Sequence, residues 1–429
     1  MHKFLLVELV MKLKWPYGRS TVEFEIRDSN VTFTLQPKQL RQLRDPDQAI
    51  VKAVTNPIGS GPLEDLVRDK RSVAIIVSDV TRPCPTYRIL PTVVRELRRS
   101  GVEKSDITIH FATGTHRGNT LDEKRRLIGQ DLADNLRLID HDCRDEGNLI
   151  SFGKTKRGTN VLVNKNLVES DVRIGLANID IHYFAGYSGG AKSLVPGMAG
   201  YDTIRQNHCL MLLPGAQAGR VKDNPVREDM EEAVKMAGLD FVVNVVLNDS
   251  KEIVHVVAGD FVKAHRAGIP PNDHMYKVTV PERGDVVIAT AGGYPKDMNL
   301  YQAQKALDNA ACAVKDGGTI ILLAECKEGP GDATFEDWLM KAQSPDEVIQ
   351  RLREGFMLGG HKAFAIARTA KRAKIALVSS LRPEIAEKAF MTPARSVNEA
   401  LDRCFSEQGD DATVILMPYA GSTLPCPSA

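Results

Sequence analysis

No CxxC pair occurs in these 429 residues, and the seven cysteines, at 84, 143, 209, 312, 326, 404 and 426, are odd in number and scattered. That pattern excludes a disulfide framework and the spaced thiols of a structural zinc site. It fits a reducing compartment, and a cytoplasmic location is the expectation. Charge of one sign is also missing. The formal net charge is +1, which leaves no basic field to hold nucleic acid and no acidic tail. Long hydrophobic runs are absent: "LVPGMAG" and "TIILLA" fall far short of a membrane span, so no membrane partner is expected. The opening "MHKFLLVELVMKLKW" is interrupted by Glu8 and followed by no small-residue cleavage site, so it is expected to be a first strand or helix rather than a signal peptide. There is no short-period repeat and no low-complexity tract.

What is present is ordinary globular composition, 43% apolar and 26% charged, in a chain too long for one core. Short apolar runs alternate with helical patterns. "SVAIIVSD", "DITIHFAT", "LRLIDHD" and "VRIGLANI" read as buried strands, with "YRILPTVVRELRRSG" and "TLDEKRRLIG" as helices between them. The passage "AGIPPNDHMYKVTVPERG" reads as a domain connection. Beyond it "DVVIATAGG", "TIILLAE", "KIALVSS" and "TVILMP" repeat the alternation. The expectation is two α/β domains with mainly parallel sheets, residues 1–268 and 269–429, with the active site in the interdomain cleft.

Reactive residues in open α/β sheets collect at the carboxyl ends of strands. Such exits here carry "SDVTRPCP", "ATGTHRG", "HYFAGYSGGAK" and "AGGYPKDMNLYQAQK". The third nearly spells a phosphate-binding loop, but Ala191 stands where GxxxxGK[ST] requires glycine, and no acidic strand supplies a magnesium ligand. Lys192 therefore has three readings: a phosphate cradle, a covalent anchor for pyridoxal phosphate or another cofactor, or a surface lysine beside a tight turn. His182 lies ten positions before it and His208 sixteen after, with His116 on an earlier strand exit. One metal ligand with two acid/base groups fits those three histidines, although the spacing matches no zinc signature such as HExxH. Arg82 before Pro83 could order a turn, and "YQAQK" reads equally as an ordinary helix, Tyr301 and Lys305 being four apart. Cys84 and Cys209 read as packing residues.

Taken together, "SDVTRP", "ATGTHR", "HYFAGYSGGAKSLVPG", the "NH" at 207–208 and "YQAQK" at 301–305 resemble, in the same order, the nickel-dependent lactate racemase family. The resemblance implies a nickel pincer nucleotide, pyridinium-3,5-bisthiocarboxylic acid mononucleotide, carrying Ni(II). Lys192 matches the lysine that anchors it, and His208 matches the protein ligand that completes square-planar nickel. His116 and His182 match the acid/base pair. Asp79, Val80, Thr81 and Arg82, with Gly189 and Gly190, match cofactor-contacting positions, and Arg82 also matches a carboxylate clamp. Tyr301, Gln302 and Lys305 match substrate-side positions.

The implied reaction inverts C2 of a small 2-hydroxy acid, lactate or a relative. One histidine takes the hydroxyl proton, hydride passes reversibly to the cofactor, and the second histidine serves the opposite enantiomer. The implied partners include the enzymes upstream that make the cofactor. A pyridoxal-dependent racemase and a non-catalytic cofactor-binding protein remain as alternative readings of the same lysine.

Overall fold

The computed structural model describes residues 9–428; the opening apolar stretch through Glu8 lies outside them. The chain divides into two compact units, one being Gln39–Met275 and the other the chain on either side of it, up to Lys38 and from Tyr276 onward. The boundary falls inside the Pro/Gly-rich passage read as a connection. That passage opens as helix, Lys263–Tyr276, with Pro270 and Pro271 inside it. The N-terminal segment, expected with the first half of the chain, instead joins the C-terminal unit.

That segment supplies β1 (Val10–Tyr17), β2 (Ser20–Arg27) and β3 (Val31–Thr34). β1 and β2 form a hairpin whose inner face buries Trp15 edge-on against Phe24, ring centroids 5.0 Å apart. Lysines and glutamates alternate with those apolar residues on the outer face, where Lys14 pairs with Glu23. This is the period-two pattern of a sheet wet on one side.

In the unit Gln39–Met275 the strands are β4 (Val73–Ser78), β5 (Ile107–Ala112), β6 (Arg137–Asp140), β7 (Leu149–Lys154), β8 (Asn160–Asn164), β9 (Val172–Ile179), β10 (Ile181–His182), β11 (Gly186–Tyr187), β12 (Phe241–Leu247) and β13 (Ile253–Gly259). The main sheet has the order β13-β12-β9-β4-β5-β6 and is parallel except where β13 returns beside β12. Its central strands are buried on both faces, which is why they read as unbroken apolar runs. Val73, Ile75 and Val77, with Ile107, Ile109 and Phe111, face a core closed by the helices Pro46–Thr55 and Thr86–Arg99. β7 pairs with β8, and β10 with β11, as separate small hairpins.

The other unit continues with β14 (Lys277–Val280), β15 (Gly284–Thr290), β16 (Val314–Leu323), β17 (Lys374–Val378), β18 (Thr392–Ala394), β19 (Val414–Met417) and β20 (Leu424–Pro427). Its sheet order is β18-β17-β16-β15-β19-β3, all parallel. β3 closes that edge by pairing with β19, Phe33 opposite Ile415. Trp15, Phe24 and Ile26 bury themselves in the same core as Ile288 and Leu416. That burial explains why the first strands belong here. Two α/β units with mainly parallel sheets are what the sequence led us to expect. Among the described residues no helix is long and apolar enough to cross a membrane.

Candidate active site

The chain leaves β4 toward β5 and β6 on one side, then returns to β9 on the other side of β4 and proceeds to β12. The sheet order therefore reverses between β4 and β9, and ligands in such sheets bind outside the carboxyl ends of the strands at that reversal. Asp79 to Arg82 follow β4, His116 follows β5 and His182 follows β9, so these residues lie at the carboxyl ends of three adjacent strands.

Asp79 is 2% exposed and its Oδ2 lies 2.7 Å from His116 Nδ1. The other carboxylate oxygen accepts from the Thr81 hydroxyl at 2.7 Å. Burial by itself raises the Asp79 carboxyl. The hydrogen bonds from His116 and Thr81 and the charges of His116 and Arg82 outweigh it, so Asp79 titrates below the usual range. An ionised carboxylate only accepts hydrogen bonds, so His116 carries a proton on Nδ1 and leaves the Nε2 lone pair for a reactant. The loop is tied down further, Val80 N–H donating to Asn119, which in turn donates to Asp140. Arg82 is exposed and makes no ion pair among the described residues, which leaves its guanidinium for a carboxylate.

β10 and β11 form a short hairpin, His182 opposite Gly186, that leads into the glycine turn. At its tip Phe184, 3% exposed, gathers the other motif residues. Its ring centroid is 4.6 Å from that of His182 and 5.0 Å from that of His208, and Lys192 Nζ stands 5.9 Å from it. The sequence pattern singled out the three polar residues but not the ring that assembles them. The Ala185 N–H donates to His182 Nδ1 at 3.3 Å, which places the neutral ring's proton on Nε2. His182 thus presents a donor where His116 presents an acceptor. Burial, with the charges of Lys192, Arg82, His208 and Arg227, pushes His182 well below the usual histidine range. Burial, with Arg82 and Arg227, likewise pulls the Lys192 amine well below the usual lysine range, which favours its nucleophilic form.

Gly189 and Gly190 adopt positive φ of 74° and 58°. A Cβ at Gly190 would lie 2.8 Å from the Phe261 carbonyl and 2.9 Å from His265 Cγ, so close backbone packing requires glycine there. Ala191 is fully buried, so the departure from a P-loop falls at a packing position. Asn244 accepts the Gly190 N–H at 2.8 Å through Oδ1, while its buried Nδ2 has no protein partner.

His208 lies on the helix Tyr201–Cys209, whose opposite face is stitched down by side-chain bonds. Thr203 bridges the Asn160 carbonyl (2.6 Å) and the Leu162 N–H (2.9 Å) of β8, and Asn207 donates to Asp229 (2.8 Å) and to the Val226 carbonyl (3.1 Å). Asp229 also accepts from Thr159 at 2.9 Å and from Thr155. Asn207 of the "NH" pair is therefore an anchor that fixes the rotation of the helix carrying His208.

In the other unit, Tyr301, Gln302 and Lys305 occupy the start of the helix Leu300–Ala310, capped by Asn299. Gln302 and Lys305 are exposed, and Tyr301 packs edge-on to Phe335. Lys362 Nζ lies 5.0 Å from the Tyr301 ring centroid. Burial, opposed by Asp308 and helped by Lys305, pulls that amine down to about 8. No sequence signal pointed to Lys362.

Residues 17–219 match the family description "Lactate racemase N-terminal domain" and residues 279–424 match "Lactate racemase C-terminal domain". A lactate racemase of Thermoanaerobacterium thermosaccharolyticum is 35% identical, covering 95% of this chain and 98% of its own. The chain belongs to the lactate racemase family. A second relative, the lactate racemase of Lactiplantibacillus plantarum, is 34% identical over 94% of this chain and 97% of its own. The solved apoprotein of the Thermoanaerobacterium enzyme superposes with a TM-score of 0.89 at 34% identity, covering 97% of this chain and all of that one. A Thermotoga maritima protein at 16% identity and TM-score 0.63, covering 89% of this chain and 98% of that one, shares the fold. Racemases are isomerases, and the chain is an enzyme of that class.

The residues fit the cofactor that the family resemblance implies. Lys192 supplies an amine pulled well below the usual lysine range, and Asn244 holds an unsatisfied buried donor beside the glycine turn. Among the described residues no group of three or more His, Cys, Asp or Glu could hold a metal. His208, whose ring centroid stands 5.0 Å from that of Phe184, is the imidazole that would hold the metal of such a cofactor.

Proposed function

We propose that the protein is a 2-hydroxy-acid racemase or epimerase of the lactate type, dependent on a nickel pincer nucleotide anchored by Lys192 and ligated by His208. The observation that carries the reading is the convergence of His182, Lys192 and His208 on the Phe184 ring, with the Asp79–His116 pair at the exits of the adjacent strands β4 and β5. When bound, the cofactor supplies an acceptor for the C2 hydride. The chain's own residues do the rest.

Arg82 fixes the substrate carboxylate, and a guanidinium suits this because its planar fork matches both oxygens. His116 takes the hydroxyl proton on Nε2 from one enantiomer, its orientation held by Asp79. His182 presents its Nε2–H on its own side and serves the other enantiomer. Tyr301, Gln302 and Lys305 contribute substrate contacts. Asp79, Val80, Thr81, Gly189 and Gly190 are assigned to the cofactor, with Asp79 also orienting His116. A C2 carbanion beside a carboxylate would be poorly stabilised, so removal as hydride is the easier route.

The test is to produce the protein with the enzymes that make the cofactor, and Lys192→Ala in parallel. The mass of the peptide bearing Lys192, the nickel per chain and the optical inversion of D- and L-lactate and related hydroxy acids are then measured. An added mass with nickel and inversion, all lost in the variant, is the expected result. An unmodified Lys192 from a competent host would overturn the reading.

A further inference from the structure

Arg227 is fully buried, although its carboxylate neighbour Glu231 stands 3.9 Å away and is engaged by Arg266 at 2.7 Å and 2.9 Å. It sits on the apolar stripe of the helix Pro225–Ala237, among Val226, Met230 and Val234. A guanidinium removed from water must find acceptors. Arg227 finds them in the backbone of the glycine turn: Nε donates to the Ala185 carbonyl at 3.2 Å, Nη1 to Gly189 at 3.4 Å and Nη2 to Tyr187. His265 takes the carbonyl between, Nε2 donating to Ser188 at 2.8 Å, its tautomer fixed by Arg266 donating to Nδ1 at 2.8 Å. The carbonyls of Ala185, Tyr187, Ser188 and Gly189, in the turn that leads to Lys192, are thus all taken up by Arg227 and His265.

The same helix is tied to the hairpin at its start. Asn224 caps it through the N–H groups of Val226 and Arg227 and donates to the Phe184 carbonyl at 2.9 Å. Burial pulls the Arg227 guanidinium down to about 10, which still leaves it cationic at neutral pH.

We propose that Arg227 is a positioning residue for cofactor attachment. By holding the Ala185, Tyr187 and Gly189 carbonyls, it builds the anchor loop before any cofactor arrives and presents Lys192 from it. The inference rests on the reading of Lys192 as the anchor, but the loop itself can be examined without cofactor. A second consequence is electrostatic: after burial and Arg82, the Arg227 charge also lowers the Lys192 amine.

The experiment uses the full-length apoprotein as wild type, Arg227→Met and Arg227→Lys. Backbone hydrogen exchange is followed over residues 185–193, and the reaction of Lys192 with trinitrobenzenesulfonate is followed against pH by peptide mass. In wild type, Lys192 should react at lower pH than the surface lysines. In Arg227→Met, loop exchange should rise by on the order of ten-fold or more, and the Lys192 midpoint should move up toward the surface lysines. Arg227→Lys keeps the charge without the fork, so it should retain the low midpoint while exchanging faster than wild type.

A folded Arg227→Met protein with wild-type exchange and an unmoved midpoint overturns the proposal. If that variant does not fold, unchanged loop exchange in Arg227→Lys overturns it instead. Each protein made with the cofactor-producing enzymes should then show its adduct fraction falling in step with loop protection. A wild type that never acquires the adduct would sink the anchor reading, while the apoprotein measurements would still decide the loop clamp.

Discussion

Asp79 and Ala185 hold the two histidine rings in opposite senses: the carboxylate accepts from His116 Nδ1, and the backbone N–H donates to His182 Nδ1. One ring thereby presents an acceptor at Nε2 and the other a donor, although both are plain histidines in the sequence. Replacing Asp79 by Asn removes the obligatory acceptor and frees the His116 tautomer. If His116 is the acid/base group proposed above, turnover should fall by roughly 10²–10⁴-fold, with the proposed Lys192 adduct and nickel retained. Steady-state rates beside metal analysis check this, and loss of nickel with the rate would instead place Asp79 chiefly on the cofactor. At Gly190 the expectation is one of stability. Gly190→Ala meets both a positive φ and the Phe261 carbonyl, so urea unfolding should show a loss of about 1–3 kcal/mol.

The helix Tyr201–Cys209 shows the same logic one level up, because its rotation, not its sequence, aims His208. Thr203 and Asn207 occupy the face toward β8 and Asp229, and that face is held by hydrogen bonds rather than by apolar packing. Asn207→Ala leaves Asp229 short of a donor in a buried network, which should cost about 1–3 kcal/mol. If His208 ligates nickel as proposed, the helix is then free to turn and nickel retention should drop by roughly 10–100-fold. Equilibrium dialysis of the loaded protein against a chelator reads this directly; unchanged retention would show that His208 is aimed by something else. The elements themselves were legible. "SVAIIVSD" and "VRIGLANI" could hardly be other than buried parallel strands. The polar stitching was not legible, since Asn, Thr and Asp in a helix or hairpin look like solvent-facing residues until a partner from another segment is placed against them.

Across the molecule, buried histidines outside the site, His110 and His141 among them, weaken the fold as pH falls. Burial pulls His110 down to about 4 from an ordinary 6.5, and burial likewise lowers His141. His141 is bonded as a neutral ring, accepting from Asn164 at Nδ1 and donating to the Ala199 carbonyl from Nε2. Both rings fold in the neutral state, so the unfolded chain binds more protons as pH falls below the ordinary histidine value. Stability should therefore be full above about 6.5 and decline as pH falls toward about 4, by up to ~3 kcal/mol for His110. Urea midpoints measured from pH 7.5 to about 4 test the slope. His110→Leu should flatten it, and an unchanged slope would rule His110 out as its source.

The sequence by itself determined the two parallel-sheet units, because strands buried on both faces must be written as continuous apolar runs. It also determined the family, because the strand-exit motifs stand in order along one chain. Arg227 was not singled out, because nothing local in the sequence says what an arginine beside Met230 and Val234 would bind. Only the tertiary structure decided the rest. The first three strands joined the far end of the chain because β3 needed the edge of β19 and Trp15 needed a core. Phe184 became the centre of the site because a hairpin, a glycine turn and a helix from separate segments meet on its ring. Ring tautomers, amine charge and helix rotation depend on which group lies a few ångströms away, and distance in space is the quantity that a linear string does not carry.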